Sequence, residues 1–232
     1  MSTSNSYNFS VTRDGLIAAA LRLCGVLASG DTPTATQITE ASESLNYMVK
    51  AWEADGMPLW ALSTYTITPV AGVNTYTLNN PKPLKAIQAW NRTTSSSIDV
   101  PMRLITKQEY NLLGNKTSLG TPIQLYLNPN LDDATVSVFP TPDSSSEATQ
   151  VLYLVAQRPF QDFDSATDTP DFPQEWYEAV KYGLAVRLAG EYNIDIETRK
   201  MIQMEASAAK QIALGFSNEE GSVYFGRDIR NW

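Results

Sequence analysis

The chain contains no histidine. That absence removes Ser-His-Asp and Cys-His nucleophilic catalysis, zincin motifs and every metal site built on imidazole. Cysteine occurs once, at Cys24, so neither an intramolecular disulfide nor a thiolate zinc site can form. Cys24 lies among Leu21, Leu23 and Val26 at helical spacing and reads as a small buried hydrophobe. Charge is sparse as well: Asp, Glu, Lys and Arg make up 18% of the 232 residues, against about 25% in ordinary domains. The basic residues are scattered and the formal net charge is −8, so no basic face is expected to release counterions from a phosphate backbone. DNA could pass along such a wall without adhering to it. No apolar run approaches the ~20 residues needed to span a bilayer. The opening Met1-Ser-Thr-Ser-Asn-Ser has no basic stretch followed by an apolar one. The expectation is a soluble chain made in the cytosol, in which the Asn-X-Ser/Thr triplets at Asn8, Asn91 and Asn115 carry no glycosylation meaning.

Two near-motifs fail on spacing, and a pair of carboxylates has a simpler reading. Gly114-Asn-Lys-Thr117 resembles the end of a phosphate-binding loop, but Asn115 separates Gly from Lys and the earlier Gly is missing. Asp162, Asp164 and Asp168 suggest a calcium loop, yet Thr167 stands where Gly is required and Pro173 where a bidentate Glu is required. Glu175 and Glu178 are explained by the preference for negative charge at a helix start. No catalytic, metal-binding or cofactor-binding residue is expected, and no cofactor.

What is present is amphipathic structure. Leu16, Ala20, Leu23 and Leu27 place one apolar stripe on a helix from about Thr12 to Ala28, with Gly30 and Pro33 as the stop. Thr34 and Gln37 form a capping-box pattern before Ile38, Ala41, Leu45, Met48 and Trp52, a helical stripe expected to face a core and to end at Gly56 and Pro58. From residue 60 the period changes to two. Candidate strands cover 62–68, 72–78, 84–91, 98–104, 122–127, 134–139 and 149–156, interrupted by a short helix capped at Thr106 and Glu109. Their rhythm reads as an antiparallel sandwich or open barrel. Helical spacing returns at Trp176, Val180, Leu184 and Leu188, and again from about Asp195 to Phe216 with Met201, Met204, Ala208 and Ile212 as the expected stripe.

The fold class expected is therefore α+β. Residues 12–58 and 172–216 would build a helical bundle from both ends of the chain, and 60–160 an inserted antiparallel β-sandwich or barrel-like domain. Residues 217–232 would form an extended C-terminal segment. That segment has no helical stripe but carries Tyr224, Phe225 and Trp232 among few charges, a poor composition for a solvated tail. It can fold back on its own domain or dock on another chain, and docking is preferred.

The order of blocks resembles the head-to-tail adaptor family of short-tailed bacteriophages, also called tail accessory factor or tail tubular protein A. The resemblance rests first on Gly15 through Gly30 with Asp31-Thr-Pro33, then Leu45-Asn46-Tyr-Met48, Ala51-Trp52 and Gly56-Met-Pro-Leu-Trp60. A second block is Ile105-Thr106, Glu109-Tyr110, Lys116 and Gly120-Thr-Pro122 before Ile123-Gln-Leu-Tyr126. A third is Phe172-Pro173-Gln-Glu-Trp176 with Ala179, Tyr182-Gly-Leu-Ala185 and Leu188-Ala189.

The resemblance implies a non-enzymatic virion protein that forms a dodecameric ring beneath the portal, with a portal-facing helical layer and a tail-facing β layer. Its implied partners are the portal protein, the tail nozzle protein, tail fibres or spikes, and further copies of itself. DNA would be retained and would cross the lumen without specific binding. Its implied place is the virion neck, after assembly in the host cytoplasm. On this reading Tyr224, Phe225 and Trp232 anchor on the portal or a neighbouring copy, and Arg227 and Arg230 pair with carboxylates there. Two other functions stay open at this stage, a virion peptidoglycan hydrolase and a host-glycan recognition module.

Overall fold

The computed structural model describes residues 3–55 and 59–216. The chain is mixed α+β and divides into two compact units, one of Met1–Leu45 with Ser165–Trp232, the other of Asn46–Asp164.

In the first unit, α1 (Arg13–Leu23) starts at Thr12, whose side chain accepts a hydrogen bond from the Gly15 backbone N–H at 3.2 Å. The helix ends five residues earlier than the apolar spacing suggests. Gly25 takes φ +70°, the left-handed conformation that closes a helix at little steric cost, so the helix ends there, and Gly30, at φ +93°, makes a second turn. Leu27 is buried beyond the turn all the same. α5 (Tyr177–Glu191) buries Val180, Leu184 and Leu188, with Trp176 buried just ahead of it, as the four-residue spacing predicts. It packs on both α1 and α6 (Ile196–Phe216). Cys24 is buried, donates its thiol to the Ala185 carbonyl at 3.3 Å, and burial pushes its pKa up to about 11.

In α6 the start is as expected, with the Asp195 carboxylate accepting from the backbone N–H groups of Glu197 and Thr198. The buried face is not the expected one. Ile202, Ala206 and Ala213 are covered, while Met201, Met204, Ala208 and Ile212 are exposed.

α2 (Ala35–Asp55) begins with the predicted reciprocal cap, Thr34 N–H donating to Gln37 Oε1 at 2.9 Å and Gln37 N–H to Thr34 Oγ1 at 3.3 Å. Leu45 and Met48 are fully buried but Trp52 is only half-buried, so the apolar stripe weakens toward the end of the helix. Gly56 and Pro58, the expected stop, lie outside the described residues.

The polar face of α2 has a task that apolar spacing does not reveal. Within the second unit, Asn46 exchanges two hydrogen bonds with the backbone of Phe163. Lys50 donates to the Phe160 carbonyl and pairs with Asp162 at 2.9 Å, and Glu53 accepts the Phe160 N–H at 2.7 Å. These three side chains, about one turn apart, hold the loop that buries Phe160 and Phe163.

The rest of the second unit is a seven-stranded, barrel-like sheet. Its strands are β1 (Leu62–Ile67), β2 (Thr75–Leu78), β3 (Lys85–Thr93), β4 (Ile98–Leu104), β6 (Gln124–Pro129), β7 (Ala134–Phe139) and β9 (Gln150–Gln157), in the order β1-β9-β3-β4-β6-β7-β2. Two-residue strands β5 (Leu119–Gly120) and β8 (Thr141–Pro142) pair separately. Alternation sets the core: Tyr65 and Ile67 from β1, Val136 and Val138 from β7, and Leu152, Leu154 and Ala156 from β9 converge on Leu125.

The sheet departs from the expected antiparallel pattern at β4 and β6, which run parallel. α3 (Lys107–Leu112) lies in the connection and lets the chain return in the same direction, which a tight hairpin cannot do. The Thr106–Glu109 capping box at α3 is complete. α4 (Ser144–Thr149), capped by Asp143 on the Ser146 N–H at 2.7 Å, has no stripe and was not expected.

Two outcomes follow from the burial pattern. Leu184→Ala should cost about 2–5 kcal/mol, whereas Met204→Ala on the outward side of α6 should change stability by less than about 0.5 kcal/mol; urea unfolding midpoints of the two variants decide it. Cys24 should resist alkylation at pH 8 in the native protein and react once the chain is unfolded. Rapid labelling of native protein would contradict its placement.

Candidate functional site

The near-motifs acquire structural roles. Lys116, the lysine of the failed phosphate loop, donates its ammonium to the carbonyls of Asn111 and Leu113 at 3.3 and 3.1 Å, which occupies it at the end of α3. Asp162 is paired with Lys50, and Asp168 accepts the Ser165 N–H at 2.6 Å, closing a turn. The acids of this segment therefore serve different partners. Among the described residues no group of three or more Cys, Asp or Glu side chains is arranged to hold a metal ion.

Trp90 and Tyr153 are the aromatic pair that a glycan-binding reading would need. They stack on each other across β3 and β9, with centroids 5.2 Å apart and planes 7° apart. The Arg92 guanidinium lies 5.1 Å from the Tyr153 ring centre and is itself held by Asp99 through two 2.6 Å bonds. Hydrogen bonding to the Arg92 guanidinium holds the Asp99 carboxyl below the usual carboxylate range. The cluster reads as cross-strand packing.

The outward side of α6 is different. Met201 is 68% exposed, Met204 72%, Ile212 74% and Phe216 70%. With about 100° per residue these side chains, with Ala208, fall in one sector of the helix. Ile202, Ala206 and Ala213 fall in another, covered sector. α6 thus has two apolar sides, and spacing alone selects the one with larger side chains. The smaller residues at the same spacing were the available signal, because alanines allow close approach between helices. Beside Met204, an open groove of about 430 Å³ is lined by Val186, Ile196, Arg199, Lys200, Gln203 and Met204. It combines apolar walls with two cations.

The residues expected to make the interface, Tyr224, Phe225, Arg227, Arg230 and Trp232, all lie outside the described residues.

No curated protein sequence matches the chain. A solved structure from the neck of an empty GTA particle, computed with C6 symmetry, is similar over 81% of this chain and 85% of that one, at 12% identity and a TM-score of 0.29. The model of the SU10 adaptor proteins matches residues 11–224, taking in all three motif blocks. The chain belongs to the SU10 adaptor protein family, which is a family of phage head-to-tail adaptors.

Proposed function

We propose that the chain is a ring subunit that joins the phage portal to the tail nozzle and helps to retain packaged DNA. The observation that carries this reading is the adaptor-family match over residues 11–224. Two features of the molecule support it. A net charge of −8 per subunit multiplies on assembly and disfavours adhesion of DNA to the channel wall. The near-motifs are absorbed by structural contacts, as suits a structural part and not an enzyme.

In this proposal twelve copies close into a collar in the virion neck, after assembly in the host cytoplasm. The helical residues 12–58 and 172–216 face the portal, and the β-rich residues 60–160 face the nozzle and the fibres or spikes. DNA crosses the lumen without specific contacts. In the assembled collar residues 218–232 leave their own subunit and lie along the portal or a neighbouring copy. Tyr224, Phe225 and Trp232 enter apolar grooves there, and Arg227 and Arg230 pair with partner carboxylates.

The experiment is deletion of residues 218–232 followed by mixing with purified portal rings. The shortened chain should fail to form stable collars at concentrations where the full chain forms them. Collars of normal stability from the shortened chain would remove the segment from the mechanism. Failure of the full chain to bind portal rings would remove the adaptor reading itself.

A further inference from the structure

The turn between β6 and β7 is hydrogen-bonded at both shoulders. The Asn130 N–H donates to the Asp133 carbonyl at 2.9 Å, and the Asn130 side-chain amide donates to the Asp133 carboxylate at 2.7 Å and to Thr135 Oγ1 at 3.0 Å. The Asn128 amide donates to Asn130 Oδ1 at 2.8 Å, and the Lys82 ammonium clamps the carbonyls of Asn130 and Leu131 at 2.8 and 2.7 Å. At the tip of this fixed backbone stands Leu131, 89% exposed, in a turn position where Gly, Asn, Asp or Ser is usual. A lone exposed leucine is ordinary. A leucine on a clamped backbone, beside the exposed carboxylate of Asp132, is a preformed knob, because seating it on a partner orders little further chain.

A complementary hollow lies in the helical unit. The groove of about 430 Å³ between α5 and α6 has apolar walls from Val186, Ile196 and Met204, and it carries two cations, Arg199 and Lys200. Both cations are exposed, and neither forms a salt bridge among the described residues; the same holds for Asp132. Knob and groove therefore match in polarity and in sign, a leucine for the apolar walls and a carboxylate for the cations.

The geometry points to a contact between copies of this chain, in which the β6–β7 turn of one copy seats Leu131 in the α5–α6 groove of a second copy, with Asp132 against Arg199 and Lys200. The two surfaces differ, so the contact is head to tail. Each copy offers a knob to one neighbour and a groove to the other, and the chain of contacts closes into a ring when the rotation between copies closes. A single turn in a groove buries far less than the ~1,200 Å² of a stable interface. Free copies therefore meet transiently, and the contact lasts where neighbours are held side by side. It is read from the surfaces of this chain alone. Failure to bind portal rings would remove the adaptor reading and leave this contact in place.

The test is disulfide trapping between full-length variants, each with one added cysteine. Cys24 can remain because it is buried and its thiol pKa is pushed up to about 11. Under mild oxidation, Leu131→Cys mixed with Met204→Cys should give the mixed dimer severalfold faster than either variant dimerises with itself. Two controls use positions of similar exposure: Leu112→Cys in place of the knob, and Ile212→Cys, roughly 12 Å along α6 from Met204, in place of the groove. Both control mixtures should react severalfold more slowly than the Leu131–Met204 pair. Asp132→Lys in the knob partner and Lys200→Glu in the groove partner should each slow that pair, and the two together should react faster than either alone. One chain carrying both cysteines should form dimers and higher species at a rate that rises with protein concentration. The substituted positions are exposed, so thermal unfolding should match that of the parent. Mixed dimers that form no faster than the controls, or a concentration-independent disulfide within one chain, overturn the inference.

Discussion

In each unit a late segment joins early ones. β9 hydrogen-bonds on one side to β1 and on the other to β3, so strands that are far apart in sequence are held by a strand that follows them both. α5 plays the corresponding part among the helices, packing on α1, which precedes it by more than 150 positions, and on α6, which follows at once. Both arrangements carry a loop-closure cost before their contacts form. The compensation is concentrated burial: Leu152, Leu154 and Ala156 in β9, and Val180, Leu184 and Leu188 in α5, have essentially no exposed surface. The turns, caps and surface loops are arranged around these two inserted elements.

Much of this was legible because the chain punctuates itself. Thr34 with Gln37 and Thr106 with Glu109 mark helix starts, and both pairs make the reciprocal bonds their spacing implies. The two-residue alternation of Ala134–Phe139 gives that strand with its exact bounds. What escaped has physical causes. α6 has two apolar sides, and hydrophobicity ranks methionine and isoleucine above the alanines that actually permit close packing. α1 stops at Gly25 because one left-handed residue outweighs a continuing apolar stripe. α4 rests on a single cap, from Asp143, in a serine-rich stretch that otherwise reads as a turn. The loop-holding roles of Asn46, Lys50 and Glu53 lie on the polar face of α2, where periodicity is silent.

The functional residues divide the same way. The lack of histidine and the scattered cations exclude whole classes of chemistry at the level of composition. A positive surface is harder to read, since an interface strip and a core strip share one periodicity. Only burial separates them, and it leaves the strip from Met201 to Ile212 outside the core of the unit.

The most direct measurement is an image reconstruction of the neck in purified virions that contain this chain. The expected result is a closed ring of this chain directly beneath the portal, with its helical layer toward the portal and an acidic or neutral lumen. A neck lacking the chain, or a ring whose lumen is continuously basic, would contradict the proposed role.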